Sequence, residues 1–349
     1  MDVLILGASG YGGGECLRLL AMHPRVASLA GSSRKHGGKS FASVHPHLEG
    51  VVEGSFQEHP DFAALASSPR PVVIAALPHG EFARLYSEYL AQWQALGLDQ
   101  RLTVVDLSGD FRLDDPAAFA QAYGEPHPCP QHLGSFVYGL SEWQRGALRD
   151  ARRIANPGCF ATALQLALLP LQRLGDKAPP WVAISAITGS SGSGASPSDT
   201  THHPARAHDF RAYKVLSHQH EAEVRRSLRM QQCAVDFALV PHSAPLVRGI
   251  FATLCFQAPG LSAGELEQAY QSAYAGAPFI RLRSGTPRVA AVVGSNHADL
   301  AVALRGGAAS VMIAIDNLVK GMAGQAIQNL NLAFGWPEDL GLRTAAVYP

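Results

Sequence analysis

The chain is poor in charge, in patterned cysteine and in long apolar runs, and each shortage excludes something. Charged residues make up only 16% of it against 47% hydrophobic, which describes a packed globular protein and not a disordered one. Lys plus Arg total 28 and Asp plus Glu total 28, so net charge gives no pointer to nucleic acid. The five cysteines (Cys16, Cys129, Cys159, Cys233, Cys255) are scattered, odd in number and without a Cys-x-x-Cys pair. That pattern argues against a disulfide framework and for a reduced, cytoplasmic setting. No run approaches membrane-spanning length, and Met1-Asp2-Val3 leads into a strand without a charged leader or apolar signal region. No repeat is visible, and low complexity is confined to the Gly/Ser stretch at 189–198.

At 349 residues the chain is too long for one ordinary core, so two domains are expected. Val3–Leu6 is a short apolar run of the buried, parallel type, and a helix over 14–22 follows a glycine turn. Further strand-like runs at 27–31, 72–77 and 102–106 are interspersed with helical patterns such as 82–96, which predicts a doubly wound α/β domain. Beyond Cys159, β-branched runs at 181–188, 235–240, 249–257, 288–293, 299–304 and 310–315 predict a mixed, largely antiparallel sheet. Covering helices include 263–274, and a final helix over 316–334 is expected to rejoin the first domain. The expected division is 1–157 completed by 317–349, with 158–316 as the second domain.

Gly7, Gly10 and Gly13 stand between the first strand and the first helix. Glycines there permit a tight turn and let a pyrophosphate approach the backbone at a helix N-terminus. Gly7, Ser9, Gly10, Tyr11, Gly12 and Gly13 are therefore candidate nucleotide contacts. The second strand ends in Ser32-Ser33-Arg34-Lys35, where an NAD site usually carries an acid. Two hydroxyls and two cations suit a 2′-phosphate, so NADP is favoured; an exposed basic loop is the other reading. Arg112, in Asp106-Leu107-Ser108-Gly109-Asp110-Phe111-Arg112, follows the fourth strand, where it either holds an anionic substrate group or pairs with Asp110 or Asp114.

Asn156-Pro157-Gly158-Cys159 runs into an apolar helical stretch. A thiol at a helix N-terminus meets unpaired N–H groups and the dipole, which favour thiolate and make Cys159 a candidate nucleophile. In His218-Gln219-His220-Glu221-Ala222-Glu223, a helix starting near His220 places His220 and Glu223 on one face, a carboxylate behind an imidazole. A zinc site among His202, His203, His218 and His220 is the rival, at spacings that match no standard zinc pattern. The Gly189–Gly194 loop is either a linker or a close-approach surface for an acyl group and cofactor.

Taken together, Gly7–Gly13, Leu77-Pro78-His79-Gly80, Asp106–Leu113, Asn156–Thr162, the Ser-Gly loop, His218–Val224 and Asp316-Asn317-Leu318-Val319-Lys320-Gly321 resemble the N-acetyl-γ-glutamyl-phosphate reductase family. The resemblance covers nearly the whole chain. It implies a Rossmann domain, an α+β catalytic domain, NADPH, a cysteine thioester and a homo-oligomer, dimer or tetramer. Residue by residue, it implies Cys159 as nucleophile, His218 and His220 as the acid/base pair, and the glycine turn, Ser33, Arg34, Lys35 and Asn317 as cofactor contacts. Arg112, Asn156, Ser191 and Glu223 are the expected substrate contacts. Where arginine-pathway members usually read Tyr-Pro after the cysteine, this chain has Phe160-Ala161. Its His202-His203-Pro204-Ala205-Arg206 segment and its Gly335-Trp336-Pro337-Glu338 ending look more like lysine-pathway reductases. Those act on α-aminoadipyl phosphate attached to a small acidic amino-group carrier protein. Arg206, Arg211 and Lys214 are then an expected landing strip, or else a solvated loop. A non-catalytic NADP-sensing module is the alternative from another class. An NAD-dependent glyceraldehyde-phosphate-type dehydrogenase is a further rival, which Arg34-Lys35 disfavours.

Overall fold

The computed structural model describes residues 1–348, arranged as two units. The first holds Met1–Pro157 and Met322–Arg343; the second holds Gly158–Gly321 and the chain from Thr344 onward. The return to the first unit thus falls at 322 and not at 317. Asp316 explains the shift. Its carboxylate accepts from the N–H groups of Leu318 (2.8 Å), Val319 (2.9 Å) and Gly294 (2.6 Å), all in the second unit. The last residues leave the first unit again, with Val347 N–H donating to the Val293 carbonyl at 3.3 Å.

In the first unit β1 (Asp2–Leu6), β2 (Ser28–Ser32), β3 (Pro71–Ala75), β4 (Thr103–Asp106), β5 (Val137–Tyr138) and β6 (Arg153–Ala155) form a parallel sheet in the order β2-β1-β3-β4-β6-β5. Residues 71–75 are all buried, as expected of a strand covered on both faces. Helix Glu81–Ala95 turns Phe82, Tyr86, Tyr89 and Trp93 inward at spacings of three and four, onto Phe62, Phe111 and Phe136. Strand order reverses about β1: the chain goes to β2 on one side, then to β3 on the other. Open α/β sheets bind ligands at such a switch point, beyond the strands' C-terminal ends. Helix Gly324–Ala333 closes the unit with buried amides. Asn329 Nδ2, for example, donates to the Gly139 carbonyl at 2.7 Å.

The second unit is a seven-stranded mixed sheet of β7 (Trp181–Thr188), β8 (Arg211–Ala212), β9 (Asp236–Ser243), β10 (Ile250–Gln257), β11 (Ile280–Leu282), β12 (Ala298–Arg305) and β13 (Ala308–Ile315). Its order is β11-β12-β13-β10-β7-β9-β8. One face is covered by helix Cys159–Leu168, which packs on β10 and β13, and by helix Ala263–Ala273. The expected strand at 288–293 is instead a 3₁₀ turn, Val289–Ala291. Its N–H groups bond locally (Val292 to Val289), between Pro287 and Gly294. The final helix opens with a π-turn, Val319–Ala323, before the α-helix proper.

Candidate active site

The first unit supplies a dinucleotide cradle at the end of β1. Gly7 has φ +74°, and a side chain there would lie 2.5 Å from the Ala76 carbonyl oxygen, so only glycine fits the turn. Gly13 is packed on Ala8, and Gly12 faces Met322. Gly10 differs. It is the N-cap of helix Tyr11–Ala21, and a Cβ there would meet only the Gly7 carbonyl, at 3.6 Å. The protein itself leaves that face open, as a cradle for pyrophosphate at a helix N-terminus requires. Tyr11 stands exposed beside it. His45 donates its ring N–H to the Ala8 carbonyl at 2.9 Å, and burial lowers its pKa, so a neutral imidazole braces the turn. At the end of β2 the Ser33 hydroxyl lies 2.8 Å from that of Ser9 and accepts from His36 N–H, while Arg34 and Lys35 are exposed.

The second unit supplies the chemistry. Cys159 is the first residue of helix Cys159–Leu168 and is partly exposed. The N-cap, Gly158, has φ −67°, which any residue adopts; its need for glycine is contact. A Cβ there would lie 2.4 Å from His220 Nε2, so the imidazole rests against the residue preceding the thiol. Gly321 similarly lies against Cys159, where a Cβ would stand 2.7 Å from the cysteine's own. Helix His220–Met230 begins at the expected place. Glu223, fully buried, has one oxygen 3.8 Å from His220 Nε2 and accepts from Gly158 N–H with the other at 2.9 Å. One carboxylate therefore positions both the imidazole and the turn into Cys159. His218 is different: burial, then the nearby His220 and Lys214, push its pKa down to about 2. Its Nδ1 accepts from His220 N–H at 3.2 Å, so it is a neutral imidazole at any working pH. Tyr213 has no counterpart in the sequence reading. Burial, followed by the charge of Cys159, raises the pKa of its phenol, which therefore stays neutral.

The four expected substrate contacts are buried and make hydrogen bonds within the protein. Arg112 donates to the carbonyls of Asn156 (2.7 Å) and Leu107 (3.0 Å). Asn156 donates to the Met322 carbonyl (3.1 Å) and accepts from Asn329 (3.1 Å). Ser191 accepts from Asn317 at 2.9 Å, whose other amide end takes Gly249 N–H at 2.6 Å. Glu223 is engaged as above. Each satisfies main-chain or amide groups that burial would otherwise strand. Arg206 also leaves the expected landing strip: it is buried and donates to the Ser243 hydroxyl (2.5 Å) and to the carbonyls of Ala244 (3.0 Å) and Thr188 (3.3 Å). Among the described residues, no group of three or more His, Cys, Asp or Glu is arranged to hold a metal.

Residues 2–151 match the model described as semialdehyde dehydrogenase, NAD binding domain, and residues 159–317 match semialdehyde dehydrogenase, dimerisation domain. A LysW-L-2-aminoadipate 6-phosphate reductase of Deinococcus radiodurans is 39% identical, over 99% of this chain and 98% of its own. The chain belongs to this family of semialdehyde dehydrogenases. An N-acetyl-γ-glutamyl-phosphate reductase of Shouchella clausii is 38% identical over all of both chains. Aspartate semialdehyde dehydrogenase II of Vibrio cholerae shares the fold, with TM-score 0.68 over 95% of this chain and 97% of its own, at 16% identity. The cofactor is a nicotinamide dinucleotide, and the hydroxyls and cations at the end of β2 suit the phosphorylated form, NADPH.

Proposed function

We propose that this enzyme reduces an acyl phosphate to a semialdehyde through a thioester on Cys159. The observation that carries the reading is the placement of Cys159 at a helix start, with His220 resting on Gly158 and Glu223 behind both. The Cys159 thiolate attacks the acyl carbon; the S–C bond forms, the C–O bond breaks and phosphate leaves. NADPH supplies the hydride when bound. Cys159 then carries a thiohemiacetal oxyanion; its C–S bond breaks as the C=O bond reforms, giving the aldehyde, and His220 returns to the sulfur the proton it took from the thiol before attack. Glu223 orients that imidazole, and neutral His218 holds the turn that starts its helix. Cys159→Ser should abolish turnover while leaving NADPH binding near normal; substantial residual activity removes the thioester route.

The substrate we favour is α-aminoadipyl phosphate on an acidic carrier protein. Support comes from the Deinococcus relative and from the loop leading to His218. Phe210, Val215 and Leu216 are 56%, 50% and 61% exposed there, beside Arg211 and Lys214, an apolar and cationic rim suited to a macromolecule. The Shouchella relative supports N-acetylglutamyl phosphate as the second reading. Phosphate-dependent oxidation with NADP of the two semialdehydes, carrier-linked and free, decides between them. The open face of the seven-stranded sheet supports a homo-oligomer: Trp181, Cys255, Gln257 and Ala303 line a groove of about 640 Å³ on it. Loss of self-association in Trp181→Glu, by sedimentation, checks this. No helix among the described residues is long and apolar enough to cross a membrane. We place the enzyme in the cytoplasm on its scattered cysteines, none of them joined in a disulfide among the described residues.

A further inference from the structure

The proposed 2′-phosphate site already holds an anion of its own. Arg34 Nη2 lies 2.9 Å from Glu81 Oε2, with side chains 70% and 32% exposed. Glu81 is the first residue of helix Glu81–Ala95, so the pair runs from the loop after β2 to the loop after β3. Those loops flank the switch point at which an open sheet binds a dinucleotide. An acid is favoured at a helix start by the dipole alone. That preference does not explain why its carboxylate reaches a guanidinium 47 positions earlier in the chain.

We propose that Glu81 is a specificity-determining residue, an internal stand-in for the 2′-phosphate that competes with it for Arg34. This rests on the reading that Arg34 meets the 2′-phosphate. A phosphate near neutral pH carries close to two charges and three acceptor oxygens, against one charge and two oxygens for Glu81. It therefore displaces or outbids the carboxylate on the planar guanidinium fork. A ribose 2′-hydroxyl carries no charge and leaves the Arg34–Glu81 pair closed. The acid thus lowers affinity for every 2′-phosphorylated ligand by the strength of the pair, and leaves NADH binding alone. No covalent step is involved.

The test is calorimetric titration of the intact enzyme with adenosine 2′,5′-bisphosphate and with AMP. Glu81→Gln should tighten the bisphosphate about two- to fivefold, the range open to an exposed ion pair, and leave AMP unchanged. Glu81→Asp keeps the helix-start charge but is too short to hold the guanidinium, and should tighten the bisphosphate as well. In an Arg34→Gln background neither substitution should change anything. Unchanged or weaker bisphosphate binding in Glu81→Gln overturns the proposal, as does equal tightening of AMP. Arg34→Gln that leaves the preference for bisphosphate over AMP intact shows instead that Arg34 does not meet the phosphate, and the underlying reading fails first.

Discussion

At the scale of single residues, the site depends on close approaches that forbid atoms. Gly158 has an ordinary backbone conformation, yet a methyl group there would stand 2.4 Å from His220 Nε2. Gly158→Ala should leave thermal stability nearly unchanged and push the imidazole away from its seat on the turn into Cys159. A fall in kcat of about a hundredfold or more is expected, the lower end for losing a positioned acid/base. A variant with normal kcat would mean that His220 does not work from this position. His218 gives a pH signature. Its folded pKa is about 2, and the unfolded value is about 6.5. As pH falls below about 6.5 the unfolded chain takes up a proton that the folded chain refuses, so stability drops until about pH 2. His218→Asn should remove up to about 1.4 kcal/mol per pH unit from that slope between pH 6 and 4, by denaturant titration at several pH values. An unchanged slope would show that His218 is protonated in the folded enzyme. The spacing of His220 and Glu223 was legible from the chain, because three residues along a helix define one face. The duties of Arg112, Asn156, Ser191 and Glu223 were not. The order of polar residues in a motif does not tell which buried main-chain and amide groups their side chains satisfy.

At the scale of elements, period and length decided what was readable. The long alternating strands β7, β9, β10, β12 and β13 announced themselves, and so did the start of the helix at Cys159. The two-residue β5 and β8 and the three-residue β6 and β11 carry too few positions to show any period. Val289–Ala291 shows the opposite error: β-branched composition without alternation, in a segment whose N–H groups close local turns. Arg206 belongs to this scale. Its guanidinium ties the short helix His203–Arg206 to the ends of β7 and β9 through the Thr188 and Ala244 carbonyls and the Ser243 hydroxyl. Truncation strands buried acceptors. Arg206→Ala should therefore cost about 2–3 kcal/mol of stability, the range for losing a charged donor to buried partners. It should impair carrier-linked and free substrates alike. A stable variant with a defect only toward carrier-linked substrate would return Arg206 to the docking surface.

At the scale of the whole molecule, the open question is whether the substrate is small or carried. Full-length identity does not decide it, since relatives of both names match at 37–41%. The surface offers a better discriminator. With Arg206 buried, the rim before His218 keeps Arg211, half-buried and paired with Asp209, and Lys214, which is exposed and donates to Gln219 at 2.8 Å. Two residues of this rim, Lys214 and Leu216, adopt positive φ of 44° and 55°, an unfavourable conformation for side chains of their size. Strain of this kind clusters at functional sites. If an acidic carrier docks there, exposed charges across the interface govern encounter and weaken as the screening length falls to about 8 Å near physiological salt. KM for the carrier-linked acyl phosphate should rise with salt, and rise again in an Arg211→Ala/Lys214→Ala variant, with kcat held. Leu216→Asp should raise it further by removing apolar contact. Free N-acetylglutamyl phosphate brings no carrier to the rim, so its kcat/KM should be insensitive to the double variant and nearly so to salt. Efficient turnover of the free substrate with poor use of the carried one would assign the enzyme to the smaller substrate. Good use of the carried one without any response to these three positions would move the docking surface elsewhere on the second unit.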